Sequence, residues 1–129
     1  MMNLALDRIQ SIDQAPKDAE FTPIGKFNPE TYFNDLIGVT KDRTMKPQKV
    51  RFWAEAWQVP YIKTKPLHKS QMVVEIDEEG NGIFQIEVIL NYELEKDLLG
   101  FGESIKVLSP KSLRDSIAGR LKAAAKNYE

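Results

Sequence analysis

The 129 residues contain no cysteine. That excludes a disulfide framework and thiolate chemistry, and it fits a reducing compartment. There is one histidine, His68. A lone imidazole with no thiol beside it falls short of the three or four ligands that metal sites need, and carboxylates alone favour hard ions. No apolar run reaches the ~20 residues of a membrane span. The N-terminus lacks the basic-then-apolar order of a signal peptide. The net charge is only −1, so no bulk field argues for a polyanionic partner. No internal repeat or low-complexity segment is visible.

What remains is ordinary in amount and uneven in order. Apolar residues make up 42% and charged residues 29%, the usage of a globular domain. A chain of this length buries somewhat under about 70% of its unfolded surface, enough for one modest core. The charges fall in blocks. A basic stretch carries Lys41, Arg43, Lys46, Lys49, Arg51, Lys63, Lys65 and Lys69. An acidic one follows with Glu75, Asp77, Glu78, Glu79, Glu87, Glu93, Glu95 and Asp97. The end is basic again, with Lys111, Arg114, Arg120, Lys122 and Lys126. Such an order reads as solvated faces, or as an anion-binding face and molecules that pair with one another.

Residues 3–12 alternate weakly through Leu4, Leu6, Ile9 and Ile12, as in a last strand followed by a turn of helix. Residues 13–27 carry two prolines and a glycine and read as a linker. Asn28-Pro29-Glu30 opens a short helix: an N-cap, a proline at the first helical position, an acid in the first turn. Tyr32, Phe33, Leu36 and Ile37 give it one apolar face, and Gly38 stops it. A helix that short and aromatic must dock on something. From Gln48 the period becomes two, with Val50, Phe52, Ala54 and Ala56 on one side and Arg51, Trp53, Glu55 and Trp57 on the other. Pro60 fits the first turn of a short helix ended by Pro66. Residues 71–76 and 83–90 form a hairpin around DEEGNG, with Phe84, Ile86, Val88 and Leu90 inward. Asn91 caps a helix carrying Leu94, Leu98 and Leu99. Residues 104–108 form a strand, and Ser109-Pro110 opens a final helix with Leu113, Ile117, Leu121 and Ala124 at helical spacing.

The order over 48–108 is β-α-β-β-α-β with a helix appended. It predicts an α+β, ferredoxin-like antiparallel sheet with an N-terminal arm and a short helix before it. The expected divisions are 1–12, 13–47 and 48–129.

No paired acid–base constellation suggests catalysis. Ser70 lies near His68 but lacks an orienting acid, so the chain reads as no enzyme, with no cofactor or metal. His68, Ser70 and Gln71 have a structural reading, fixing a helix-to-strand turn by hydrogen bonds to backbone. They also have a contact reading, as polar readers beside Lys63, Lys65 and Lys69. Arg114 falls in the first turn of the last helix, where a cation opposes the helix dipole. Its partner is an acid such as Glu103 or Asp115, or the phosphate of an effector. Gly100–Gly102 is too short for a phosphate loop. The DEEGNG turn lacks the ligand spacing of a calcium loop. Trp53 and Trp57 fit burial in a core or interface, or stacking on bases.

Several fragments in one order carry a resemblance: LALDRI at 4–9, TYFNDLIGVT at 31–40, PLHKSQ at 66–71, NYEL at 91–94, LLGFGESIKVLSPKSLRD at 98–115 and LKAAAKNY at 121–128. Together they resemble the C-terminal extension (WCX) of bacterial WYL-domain transcriptional regulators, in a Bacteroidetes-like form. In that family the unit follows a winged-helix DNA-binding domain and a small WYL barrel. The chain therefore reads as the tail end of such a regulator, with 1–12 a remnant of the barrel and Arg8 stabilising its closing segment. The resemblance implies a cytoplasmic, homodimeric regulatory module partnered by WYL and winged-helix domains, with a nucleic-acid or nucleotide effector. Lys63, Lys65, His68, Lys69, Gln71 and Arg114 are the expected contact residues. Tyr32, Phe33, Trp53 and Trp57 are the expected interface residues. A stand-alone nucleic-acid or nucleotide binder is the alternative.

Overall fold

The computed structural model describes residues 5–20, 25–41 and 44–129. Leu4 of the expected strand, residues 21–24 of the expected linker, and Arg43 of the basic stretch lie outside the described residues.

Alternation makes the first strand. In β1 (Gln48–Ala54), Val50, Phe52 and Ala54 are fully buried while Lys49 and Arg51 are exposed. Helix α1 (Val59–Thr64) holds Pro60 in its first turn and buries Val59 and Ile62. It is six residues long, too short to persist without the apolar contacts beneath it. Strand β2 (Met72–Ile76) and strand β3 (Gly82–Val88) form the expected hairpin. Its turn is built by Asp77, whose Oδ1 accepts from the N–H groups of Glu79 and Asn81, both at 2.9 Å. Gly80 takes φ +91°, which a side chain would resist. Asn81 Oδ1 in turn accepts from Ala56 N–H at 2.9 Å, tying the hairpin to the end of β1.

Helix α2 (Tyr92–Gly100) is capped as its sequence requires, with Asn91 Oδ1 accepting from Leu94 N–H at 2.9 Å. Strand β4 (Ile105–Ser109) leads through a cis Ser109–Pro110 bond into α3 (Lys111–Lys126). The four strands are antiparallel in the order β2-β3-β1-β4. β3 therefore inserts between β1 and β2, and β1 between β3 and β4, as in a ferredoxin-like sheet.

One face of the sheet carries the core. Val50, Phe52, Ala54, Phe84, Ile86, Val88 and Val107 meet Val59 and Ile62 of α1, Leu94 and Leu98 of α2, and Leu113 and Ile117 of α3. Phe52 and Phe84 lie opposite each other in the β1–β3 register and stack with centroids 5.6 Å apart. Such a pair adds about 0.5–1.5 kcal/mol beyond the burial of its area. β2, at one edge, has every residue exposed. α3 outruns β4: about 24 Å of helix against about 17 Å of strand. Hence Leu121, expected on the packed face, is 40% exposed and Ala124 is fully outside.

Two details depart from the period-two and period-3.6 patterns. β3 ends at Val88, and Ile89 rather than Leu90 is the buried residue beyond it. The cause is tertiary: Ile89 N–H donates to Asp35 O at 2.8 Å, outside the sheet. The segment from Asn28 closes as overlapping turns, one of them helical, with Tyr32 N–H on Asn28 O at 3.0 Å. Asn28 Oδ1 caps it from Glu30 N–H at 2.9 Å. Its aromatic and β-branched residues are weak helix formers, and so few turns cannot propagate alone. The apolar side docks as anticipated: Leu36 is buried and Ile37 packs against the core.

Candidate functional site

His68 sits at the turn between α1 and β2, and its ring is committed on both nitrogens. Ser70 N–H lies 3.1 Å from Nδ1. An amide nitrogen can only donate, so Nδ1 accepts and the proton belongs on Nε2. Nε2–H then donates to Asn34 O at 2.6 Å. Ser70 Oγ lies 2.8 Å from Nδ1 and accepts from Glu87 N–H of β3, also at 2.8 Å. Gln71 completes the turn: its Nε2 donates to Ile62 O at 3.0 Å, and its Oε1 accepts from Leu67 N–H at 2.9 Å. These are the backbone bonds of the structural reading. No free nitrogen of His68 is left for acid–base work.

The bond to Asn34 reaches beyond the turn. It is one of several that hold residues 34–40 against the sheet domain. Ile89 N–H takes Asp35 O. Asn91, 6% exposed, gives its Nδ2 hydrogens to Ile37 O at 3.0 Å and Thr40 O at 3.1 Å while its Oδ1 caps α2. Thr40 Oγ1–H donates to Glu93 Oε1 at 2.6 Å. That hydroxyl above all holds the Glu93 carboxyl below the ordinary carboxylate range; burial pulls the other way, and the backbone amides of Glu93, Val39 and Thr40 add to the lowering. Glu93 Oε2 is shielded from water and has no well-aligned donor, so those amides act on it through their dipoles. Gly38 turns the chain at φ +75°, and a Cβ there would run into the Glu93 side chain. Residues 34–40 are thus a strap across the ends of β3 and α2 rather than a tether.

The expected cations are placed apart. Lys63 and Lys65 end α1, and Lys69 follows in the turn; all three are exposed. Lys65 lines a shallow cleft with Pro66, Leu67, Asp97 and Phe101. Arg114 lines a different one, between α3 and β4, with Leu98, Ile105, Val107, Ile117 and Leu121 as its apolar walls. Neither Glu103 nor Asp115 pairs with Arg114. Among the described residues the ion pair is Arg120 with Glu95, at 3.6 Å. Lys106 borders the same cleft, but it lies opposite Trp53 in the β1–β4 register, so its side chain belongs to the helix-free face. The sequence offered no signal for Glu93 as a partner of the strap, because only the folded chain brings Thr40 beside it.

The aromatic residues differ in surroundings. Trp53 is half-buried on the helix-free face of the sheet, around a hollow shared with Ile83, Lys106 and Leu108. Trp57 is 56% exposed, its Nε1–H on Glu55 Oε2 at 2.8 Å. Tyr32 and Phe33 meet edge to face at 4.7 Å, and Lys41 Nζ stands 4.5 Å over the Tyr32 ring. Among the described residues no group of three His, Cys, Asp or Glu is placed to hold a metal ion. None of their helices is long and apolar enough to cross a membrane.

The bonds around His68, Asn91 and Glu93 fix the turn and the strap. The family model described as "WCX domain" matches residues 46–125. Among solved structures, the fold is similar to proteasome accessory factor B/C (PafBC) of Arthrobacter aurescens, with a TM-score of 0.51 at 20% identity. That likeness covers 84% of this chain and 15% of that one, so the chain spans a small part of that protein's length. No curated protein matches.

Proposed function

The chain belongs to the WCX domain family, and from that premise we propose that it is the C-terminal regulatory and oligomerisation module of a WYL-type transcriptional regulator. Its task is to couple effector sensing in a WYL barrel to the arrangement of the DNA-binding arms, as a cytoplasmic homodimer. The observation that carries this reading is the strap. The segment leading into the module is fixed to it by His68, Ile89, Asn91 and Glu93. The strap fixes where the preceding chain leaves the module, and so the side from which a domain joined to it approaches. The coupling is a population shift between dimer states. Lys63, Lys65, Lys69 and Arg114 are the cations of the contact surface, and His68 and Gln71 hold the turn that presents three of them. Trp53, Trp57, Tyr32 and Phe33 supply its apolar contacts.

Light scattering on a gel-filtered sample tests the oligomeric part. A mass near twice the 14.8 kDa chain is expected. A strict monomer at high concentration removes dimerisation from the reading. A second reading, nucleic-acid or nucleotide binding on the basic face, is favoured by one observation: Lys63, Lys65 and Lys69 are exposed and make no ion pair with a described residue. Titration with short single-stranded oligonucleotides at two salt concentrations separates the two, since phosphate contacts release counterions and weaken steeply with salt.

A further inference from the structure

We propose that β2 is an interface between two copies of this chain: their β2 edges pair antiparallel about a two-fold axis and join two four-stranded sheets into one. The assignment rests on the homodimeric reading and names the surface that makes the dimer. β2 ends the strand order and is bonded to β3 on one side only. Its other side presents a row of unpaired backbone N–H and C=O groups. All five residues of Met72–Ile76 are exposed, and four are apolar: Met72 is 54% exposed, Val73 43%, Val74 40% and Ile76 42%. Single apolar residues at a surface are ordinary, but four in one edge strand are the composition of a pairing segment. Soluble proteins blunt such edges with lysine or proline in the strand, with a bulge, or with a covering element. β2 has a bulge between Val73 and Glu75, which twists the edge without covering it, and a single charge, Glu75.

The flanks of β2 select the partner. Lys69 precedes the strand, and Asp77, Glu78 and Glu79 follow it, all four exposed. None of them makes an ion pair with a described residue. A second β2 laid parallel would set cation on cation and acid on acid. Laid antiparallel about a two-fold at Val73 or Val74, each copy's Lys69 runs beside the other's acidic turn. Met72 then comes opposite Val74 or Ile76, and Glu75 opposite Gln71 or Val73 rather than another carboxylate. The edge is complementary to itself in that orientation, which is what an isologous contact requires. Its charge order gives a second copy the advantage over an arbitrary extended segment. Both β2 edges are used up in the pair, so the contact closes at two copies.

Light scattering over a dilution series of the whole chain, with β2 variants beside it, tests the assignment. The native dimer is expected to dissociate on dilution, since one strand pairing is small beside the ~1,600 Å² of a standard interface. Val74→Lys, at an exposed edge position, should weaken it by roughly ten-fold or more and leave the far-UV spectrum unchanged. Lys69→Glu should weaken it by roughly five-fold, and adding Glu78→Lys should recover part of that loss, because the charges are then exchanged. The chain has no cysteine, so Val73→Cys and Val74→Cys report on the axis directly. One of the two should form an intermolecular disulfide on mild oxidation, whereas Ala123→Cys, exposed on α3, should not. A dimer indifferent to Val74→Lys, or cross-linking no faster at β2 than at Ala123→Cys, would overturn the assignment and leave the homodimer to another surface. A chain that stays monomeric at every concentration would remove both.

Discussion

Residues 5–20 and residues 34–40 both precede the sheet, and neither forms a long helix or a strand. They end in opposite conditions. The arm's hydrogen bonds are local, such as Arg8 N–H to Ala5 O and Ala19 N–H to Pro16 O. Leu6 is 84% exposed and Ile12 83%. In the strap Leu36 is 6% exposed, and bonds from Asn34, Asp35, Ile37 and Thr40 run to residues more than thirty positions on. The difference lies only partly in the two segments, where Leu36 and Ile37 give the strap an apolar side. The rest lies in what the module offers them. The turn at His68 and the junction of β3 and α2 present donors and a carboxylate at the spacing of the strap's carbonyls and hydroxyl. Nothing comparable faces the arm. Order is conferred by the surface that receives a segment as much as by its own propensity.

The comparison collapses entirely when that surface is lost. Phe84 is fully buried and stacked on Phe52. Phe84→Ala should cost about 3–5 kcal/mol, lowering the urea midpoint and leaving strap and arm equally open to hydrogen exchange. Asn91→Ala is narrower. It removes the α2 cap, worth about 0.5–2 kcal/mol, and strands the carbonyls of Ile37 and Thr40, about 1 kcal/mol each. The expected total is about 2–4 kcal/mol, with exchange rising first at residues 36–41 and the helix α2 start. If exchange in the strap is unchanged, its docking does not depend on Asn91. Gly38→Ala is narrower still. At φ +75°, with a Cβ meeting Glu93, the substitution should cost about 1–3 kcal/mol. That loss should be confined to the strap, with the cores of β1 and β3 as protected as before.

These cases mark where the sequence was legible. Alternation placed Val50, Phe52, Phe84 and Ile86 on the core face because a half-covered sheet forces period two on its strands. Asn91 declared the start of α2 because an N-cap is a local bond three residues long. The order of elements then implied the ferredoxin-like sheet. What stayed hidden was non-local. Asn91 was readable as a cap, and not as the clamp on Ile37 and Thr40 more than fifty residues earlier. His68 stayed open between two readings until Asn34 was seen to accept from it. Arg114 was singled out, yet neither acid expected to pair with it does so; the ion pair of α3 is Arg120 with Glu95 on α2. The helical spacing of Leu121 suggested burial; the length of α3 relative to β4 left it half outside.

The smallest effect is also the one that isolates a single contact. Glu93 is held ionised by the Thr40 hydroxyl above all, so its carboxyl titrates below the ordinary value of 4.5 in the folded chain. A carboxyl with a depressed folded value binds its proton more readily unfolded. Its stabilising share is therefore complete above about pH 4.5 and is lost as the pH falls through the folded value. The side chain is only partly buried, so the loss is modest and local: exchange at 38–41 should rise as the pH falls below about 4.5, ahead of the strands, after correction for the intrinsic rate. Thr40→Val should erase that difference, because Glu93 would then titrate closer to its ordinary value and the strap would be loose at both pH values. A strap that opens together with the sheet, or one whose opening ignores Thr40, would mean that the main-chain bonds through Asn91 and Ile89 hold it without help from the carboxylate.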